Sequence, residues 1–185
     1  HTRTFDMDGA AANFPDINFV IFHVGLPWLD EVVWQIVRFP NLYASIAATV
    51  NFISRQPRVF AEMLGKMMWW CGEDKIVYGS EAPIWQPQWA LNAFRDFSSP
   101  QDLCEGYGYP QLTDQAKRKI LGENLLRLHG MDVTDTVARL GRKRRITVFT
   151  RHYQVAVLLA TQKHLVVTVP SKLALLMRDN PRVAI

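Results

Sequence analysis

The chain is short of cysteine, short of long apolar runs, and shows no leader. Cys71 and Cys104 are its only cysteines. Two thiols have neither the spacing of a metal motif nor the density of a disulfide scaffold, which excludes a cystine-stapled secreted module and points to a reducing cytoplasm. No stretch approaches eighteen apolar residues without a charge or a breaker, so no membrane span is expected. The first residue is His1, and no basic-then-apolar segment precedes the fold. That pattern leaves either a processed chain or a fragment as the expectation.

What is present has the make-up of a packed interior. The 185 residues are 49% hydrophobic, enough for one domain or two small ones. The net charge of +4 conceals an asymmetry: residues 1–132 carry 11 Lys+Arg against 15 Asp+Glu, and residues 133–185 carry 10 against 2. A sign reversal this sharp marks a domain boundary, placed between 132 and 133. The basic part holds Arg142-Lys143-Arg144-Arg145. Such a run could touch nucleic acid or an anionic surface, but it is more often the solvated lead-in to a strand.

Periodicity gives an alternating order of elements. Residues 1–16 read as a loop, with Ala10 to Phe14 compatible with the end of a helix. Ile17 to Val24 is an apolar run rich in β-branched residues, interrupted by Asn18 and His23, as expected of a strand buried on both faces. Asp30 can cap the helix after it, where Val32, Val33, Ile36 and Val37 recur on one face until Phe39-Pro40 stops it. Leu42 to Ala48 reads as a second strand. Pro57 opens a helix striped with Val59, Phe60, Met63, Leu64, Met67 and Met68 and running to Trp70. This Met and Trp cluster fits a core better than a cofactor pocket. A third strand spans 75–80, and Trp89, Ala90, Ala93, Phe94 and Phe97 mark the next helix. A loop with Pro100, Gly106, Gly108 and Pro110 leads to Thr113, the N-cap of a helix from Asp114 to His129 that Gly130 ends. Beyond Met131 a shorter pattern restarts, with strands at 145–150 and 165–169 and helices at 153–160 and 171–177. The result is an α/β chain whose crossover helices cover a parallel sheet.

Two strand ends carry the chemistry. Phe22-His23-Val24-Gly25-Leu26-Pro27-Trp28 closes the first strand, and Tyr78-Gly79-Ser80-Glu81-Ala82-Pro83 closes the third. A buried parallel strand that ends in a polar residue and a glycine delivers that residue to the mouth of a barrel. Either motif alone is weak. Gly-Ser-Glu also occurs in plain surface turns, and a lone strand-end histidine is often a structural one. Together they suggest one shared active-site face, with His23 and Glu81 as the candidate catalytic residues.

These motifs resemble the later portion of the amidohydrolase-related family, which includes aminocarboxymuconate semialdehyde decarboxylase and related metal-dependent decarboxylases and hydrolases. The resemblance covers residues 1–132 and rests on Phe14-Pro15-Asp16-Ile17-Asn18-Phe19 leading to His23-Val24-Gly25, on Pro40-Asn41-Leu42-Tyr43, on Gly79-Ser80-Glu81, and on Lys119-Ile120-Leu121-Gly122-Glu123-Asn124-Leu125-Leu126-Arg127-Leu128. It implies a partial TIM barrel, strands six to eight with their helices, followed by the small β-α-β-α segment. It also implies a small carboxylated or cyclic substrate and a divalent metal, zinc first, once the barrel is completed. His23 falls where the family has a strand-six histidine that acts on substrate or metal. Glu81 falls on the strand-eight acid, a metal ligand that is usually aspartate; the extra methylene moves the carboxylate by more than an ångström against metal–oxygen distances of about 2.1 Å. The family's first-strand His-x-His pair has no counterpart here. The chain alone is therefore expected to bind zinc poorly and to be incomplete as a catalyst.

Residues 133–185 resemble a different family. Val137-Ala138-Arg139-Leu140-Gly141, Arg144-Arg145-Ile146-Thr147-Val148 and Leu165-Val166-Val167-Thr168-Val169-Pro170 are similar to part of the effector-binding domain of LysR-type transcriptional regulators. That resemblance implies a small-molecule sensing or interaction module as the alternative function. No helix-turn-helix accompanies it, so DNA binding by this chain is not expected. The expected partner is a small-molecule substrate, with no membrane, and a homo-oligomer is left open.

Overall fold

The computed structural model describes residues 4–134 apart from Pro83 and Trp85. The expected strands and helices beyond 140, the basic run at 142–145 and the regulator-like stretch all lie outside them. In chain order the elements are α1 (Asp6–Asn13), β1 (Phe19–Ile21), α2 (Leu29–Arg38), β2 (Leu42–Ser45), α3 (Phe52–Arg55), α4 (Pro57–Cys71), β3 (Ile76–Val77), α5 (Pro87–Asp96), α6 (Gln101–Tyr107), α7 (Asp114–Arg118) and α8 (Asn124–Leu128). A π-helical turn, Lys119–Glu123, joins α7 to α8.

The three strands form one parallel sheet in the order β1-β2-β3. Phe19, Val20 and Ile21 stand opposite Leu42, Tyr43 and Ala44, and Ala44 and Ser45 stand opposite Ile76 and Val77. Parallel neighbours that follow each other in sequence require a crossover, and α2 and α4 supply it. Their inward faces meet the sheet in one core: Val32, Ile36, Leu42, Ala44, Phe60, Met67 and Ile76 are each no more than 2% exposed. Phe60 sits edge-on to Phe94 of α5 and to Phe97, with centroids 6.2 and 5.2 Å away.

Several expectations are corrected. The strands are shorter than their apolar runs, because the chain leaves the sheet after Ile21, Ser45 and Val77; Val24 and Ile46 stay buried beyond those points, whereas Phe22 turns outward. The start of the chain is helical from Asp6. Asp30 lies inside the first turn of α2 and does not cap it; the helix begins after Trp28 with no side-chain cap bond. The stretch after Pro100 is the helix α6, not a loop. Only Leu103 of α6 is buried, so no apolar period betrays it. Thr113 does cap α7, its side chain accepting from Ala116 N–H at 3.2 Å. The helix expected from Asp114 to His129 runs without a break to Leu128, with the π turn inside it. Val37, Val59, Trp69 and Trp70 face outward, so the α4 stripe ends at Met68, and Trp70 packs against Trp34 of α2 with centroids 4.9 Å apart.

Two buried asparagines tie the lead-in segments to the sheet. Asn41, at the start of β2, donates its side-chain amide to the carbonyls of Ala11, Phe14 and Ile17 at 3.0–3.1 Å. It thereby holds the end of α1 and the approach to β1. Asn124, 2% exposed, donates to the carbonyls of Glu73 and Ile76, both at 2.7 Å. A buried amide that meets several backbone carbonyls at once is strongly determined in position.

Candidate active site

Parallel strands deliver their carboxyl ends to one face, and there the backbone departs from ordinary geometry. Among the described residues, the non-glycine residues with positive φ are His23 (57°) and Val24 (47°) after β1, Ala48 (58°) after β2, and Glu81 (56°) after β3. Left-handed backbone costs an L-residue about 1–2 kcal/mol, and a β-branched valine is the least suited to it. Strain gathered at the carboxyl end of every strand points to a face where geometry serves something besides stability.

Two glycines make the face possible. Gly25 completes the left-handed turn at φ +68°, and a Cβ there would lie 2.2 Å from Cγ2 of Val32. The turn can therefore fold back onto α2 only without a side chain. Gly79, two residues before Glu81, lets β3 approach β2: a Cβ would lie 2.6 Å from Ala47 Cβ and 3.1 Å from Ser45 Oγ.

The two turns bring the candidate residues together. His23 Nε2 lies 3.1 Å from Glu81 Oε2 across 58 residues of sequence. An imidazole N–H at Nε2 donates to the carboxylate, and Nδ1 then carries the lone pair. The pair is open to small molecules, with side chains 41% and 26% exposed. Its neighbour Phe22 was expected inside the strand but is turned out, 65% exposed, with its ring edge-on to that of His23 at 6.2 Å and 87°. Nothing in the apolar run around Phe22 signals this. Only a reversal of handedness at His23 exposes it.

The described residues do not by themselves fit the catalytic metal that the resemblance implies. Among them no group of three or more His, Cys, Asp or Glu is placed to hold a metal ion, whereas catalytic zinc takes three protein ligands and an open position. His23 and Glu81 are moreover spent on each other. A cavity of about 180 Å³ lined by Asn18, Tyr43, Asp74, Asn124 and Arg127 sits by the segments that lead into the strands and contains neither residue. We therefore set it apart from the pair.

The amidohydrolase family model matches residues 1–130, and the chain belongs to that family. Among solved structures, it is similar to an amidohydrolase from Burkholderia multivorans with bound HEPES, at 14% identity and a TM-score of 0.48, over 69% of this chain and 49% of that one. The same amidohydrolase with bound zinc aligns at 14% identity and a TM-score of 0.47, again over 69% of this chain and 49% of that one. A 2,6-dihydroxybenzoate decarboxylase from Rhizobium aligns at 17% identity and a TM-score of 0.45, over 66% and 37%. The chain thus spans about half the length of the amidohydrolase, 49%. No curated protein matches it significantly. The regulator-like stretch, and with it the sensing alternative, lies outside both the family match and the described residues. Among the described residues no helix is long and apolar enough to cross a membrane.

Proposed function

We propose that this chain carries the strand-six-to-eight portion of an amidohydrolase-type barrel that hydrolyses or decarboxylates a small carboxylated or cyclic substrate in the cytoplasm, with His23 and Glu81 as its proton-handling pair. The observation that supports this is the 3.1 Å contact between His23 Nε2 and Glu81 Oε2, made by side chains on two left-handed strand ends.

The chemistry follows from the pairing. A neutral imidazole whose one nitrogen is held by a carboxylate presents the other as a base, and the carboxylate stabilises the imidazolium once a proton is taken up. In hydrolysis His23 takes a proton from the attacking water and returns it to the leaving group. In decarboxylation the C–C bond breaks, CO2 leaves, the electron pair stays on the substrate carbon, and the His23 imidazolium supplies its proton. Phe22 offers an aromatic edge to a planar substrate beside this transfer. A divalent metal, zinc first, would need donors beyond the described residues. The steps are accordingly assigned to His23 and Glu81 alone.

The test is turnover of hydroxybenzoates, followed as CO2 release, and of lactones, followed as acid release, by this chain joined to the remaining barrel strands, with and without added zinc. Turnover that falls at least a hundredfold in both His23→Gln and Glu81→Gln, the usual scale for a lost general base, is the expected result. Turnover of the completed barrel that either change leaves untouched overturns the reading.

A further inference from the structure

The outer faces of α2, α4 and α6 carry aromatic surface that the core does not use. The apolar stripe of α4 meets the sheet as far as Met68, and at about 100° per residue the next two positions turn away from it. Trp69 and Trp70 are accordingly 56% and 47% exposed. Trp34 of α2 is 52% exposed, and its ring meets that of Trp70 with centroids 4.9 Å apart, so the pair bridges the two helices. Val37 continues the exposed face of α2. On the other side of α4, the Trp69 ring lies beside Gly108, where an added Cβ would meet it at 3.8 Å, and Tyr107 at the end of α6 is 64% exposed.

The area and the charges of this face point to what covers it. A fully covered aromatic side chain buries about 150–250 Å², so four rings left half open present roughly 400 Å². That is about half of the 800 Å² that each partner gives to a standard interface, as suits an apolar centre that a polar rim completes. Tryptophan and tyrosine are also the types on which binding energy concentrates. The rim is locally neutral: Lys66 donates to Asp30 at 2.8 Å from α4 to α2, Arg38 to Asp8 at 2.9 Å, and Arg58 to Glu62 at 3.1 Å and Asp102 at 2.7 Å. With these cations paired inside the chain, the face offers no field to an oppositely charged partner and none that repels its own image. A surface that pairs about a two-fold axis must be its own complement, and two adjoining tryptophans on neighbouring helices meet that condition.

We propose that this face pairs with a second copy of the chain about a two-fold axis, with Trp34 of each copy set against Trp70 of the other. The pairing makes no use of His23 and Glu81 and stands apart from their chemistry. It is also compatible with a completed barrel, because there the helices form the outer ring. The exposed faces of α2, α4 and α6 stay outward when further strands extend the sheet.

The test is sedimentation velocity of the full chain over a wide range of concentration, which needs no turnover. A reversible equilibrium between monomer and dimer is expected. A monomer at every concentration would leave the face to another occupant and overturn the proposal, whether or not any variant folds. Trp34→Arg and Trp70→Glu should each weaken the dimer at least tenfold, the scale of a lost anchor residue, with circular dichroism unchanged. Mixed in equal amounts, the two variants should associate again, since the axis sets the introduced charges against each other at one contact and leaves the native rings at the other. If a charge unfolds either variant, Trp34→Gln or Trp70→Gln in its place should still weaken the dimer tenfold. A dimer untouched by these changes belongs to another surface, such as the open side of the sheet, and overturns the proposal. Loss in both charged variants without recovery on mixing overturns it as well.

Discussion

Replacing Gly79 by alanine probes how closely β2 and β3 must approach to bring Glu81 to His23. The added methyl would lie 2.6 Å from Ala47 Cβ, 3.2 Å from Ala47 Cα and 3.1 Å from Ser45 Oγ. Carbon atoms rest at about 3.5–4.0 Å, so the overlap with Ala47 is about 1 Å at its worst. Two of those three atoms belong to Ala47, which has no rotamer through which to escape, and the strands must part. Overpacking of this kind costs about 1–3 kcal/mol, and an obstruction that includes backbone belongs in the upper half of that range. With a urea dependence of about 1–3 kcal/mol per molar, the unfolding midpoint followed by tryptophan fluorescence should fall by about 1 M. Parting the strands by an ångström also carries the His23–Glu81 contact from 3.1 Å beyond hydrogen-bond reach. Gly122→Ala is the control, since its Cβ would meet nothing within 4 Å. An unchanged midpoint in Gly79→Ala, together with an unchanged His23 resonance, would refute the close approach.

Three further outcomes are expected. Asn41→Ala leaves the carbonyls of Ala11, Phe14 and Ile17 without their shared donor and should cost about 1–3 kcal/mol in the same urea titration. Lys119 is held above its ordinary value of 10.5 by hydrogen bonds to Glu73 and then Asp74. A raised value in the folded state means that the stabilisation is complete below pH 10.5 and is lost as pH rises through the folded value. Lys119→Met should therefore be less stable than the unmodified chain at neutral pH, and the difference should close in strong alkali. Burial pushes the Cys71 thiol up to about 11, so at pH 8 a thiol reagent should label it far more slowly in the folded chain than in urea; equal rates would contradict its burial.

The alternation of strand and helix was legible because burial on a parallel sheet writes itself as continuous β-branched runs, such as Phe19 to Ile21, separated by helical stripes, such as Val32, Val33 and Ile36. The two site residues could be singled out because each follows an apolar strand and sits beside a glycine. Their contact could not be read, since it depends on a change of handedness at Val24, the residue type least disposed to make it. The roles of Asn41 and Asn124 did carry a signal that went unread: a polar amide set among apolar neighbours must find partners if it is buried. α6 left no such trace, because a helix anchored by Leu103 alone has no period to detect. The π turn likewise looks like uninterrupted helix in sequence, as Lys119 to Glu123 would suit either pairing.

The left-handed residues also tell a protein engineer where this fold has stability to gain. At Ala48, glycine would relieve about 1–2 kcal/mol of steric strain against about 0.5–1 kcal/mol of added chain entropy; at Val24 the fully buried side chain, worth about 1.5–3 kcal/mol, outweighs that relief. Selection for heat resistance alone would thus be drawn to Ala48, in the turn after β2, and would loosen it. Thermostability and the aim of this face are set against each other there. A hardened version of the chain should be sought through its helices, with these turns left as they are.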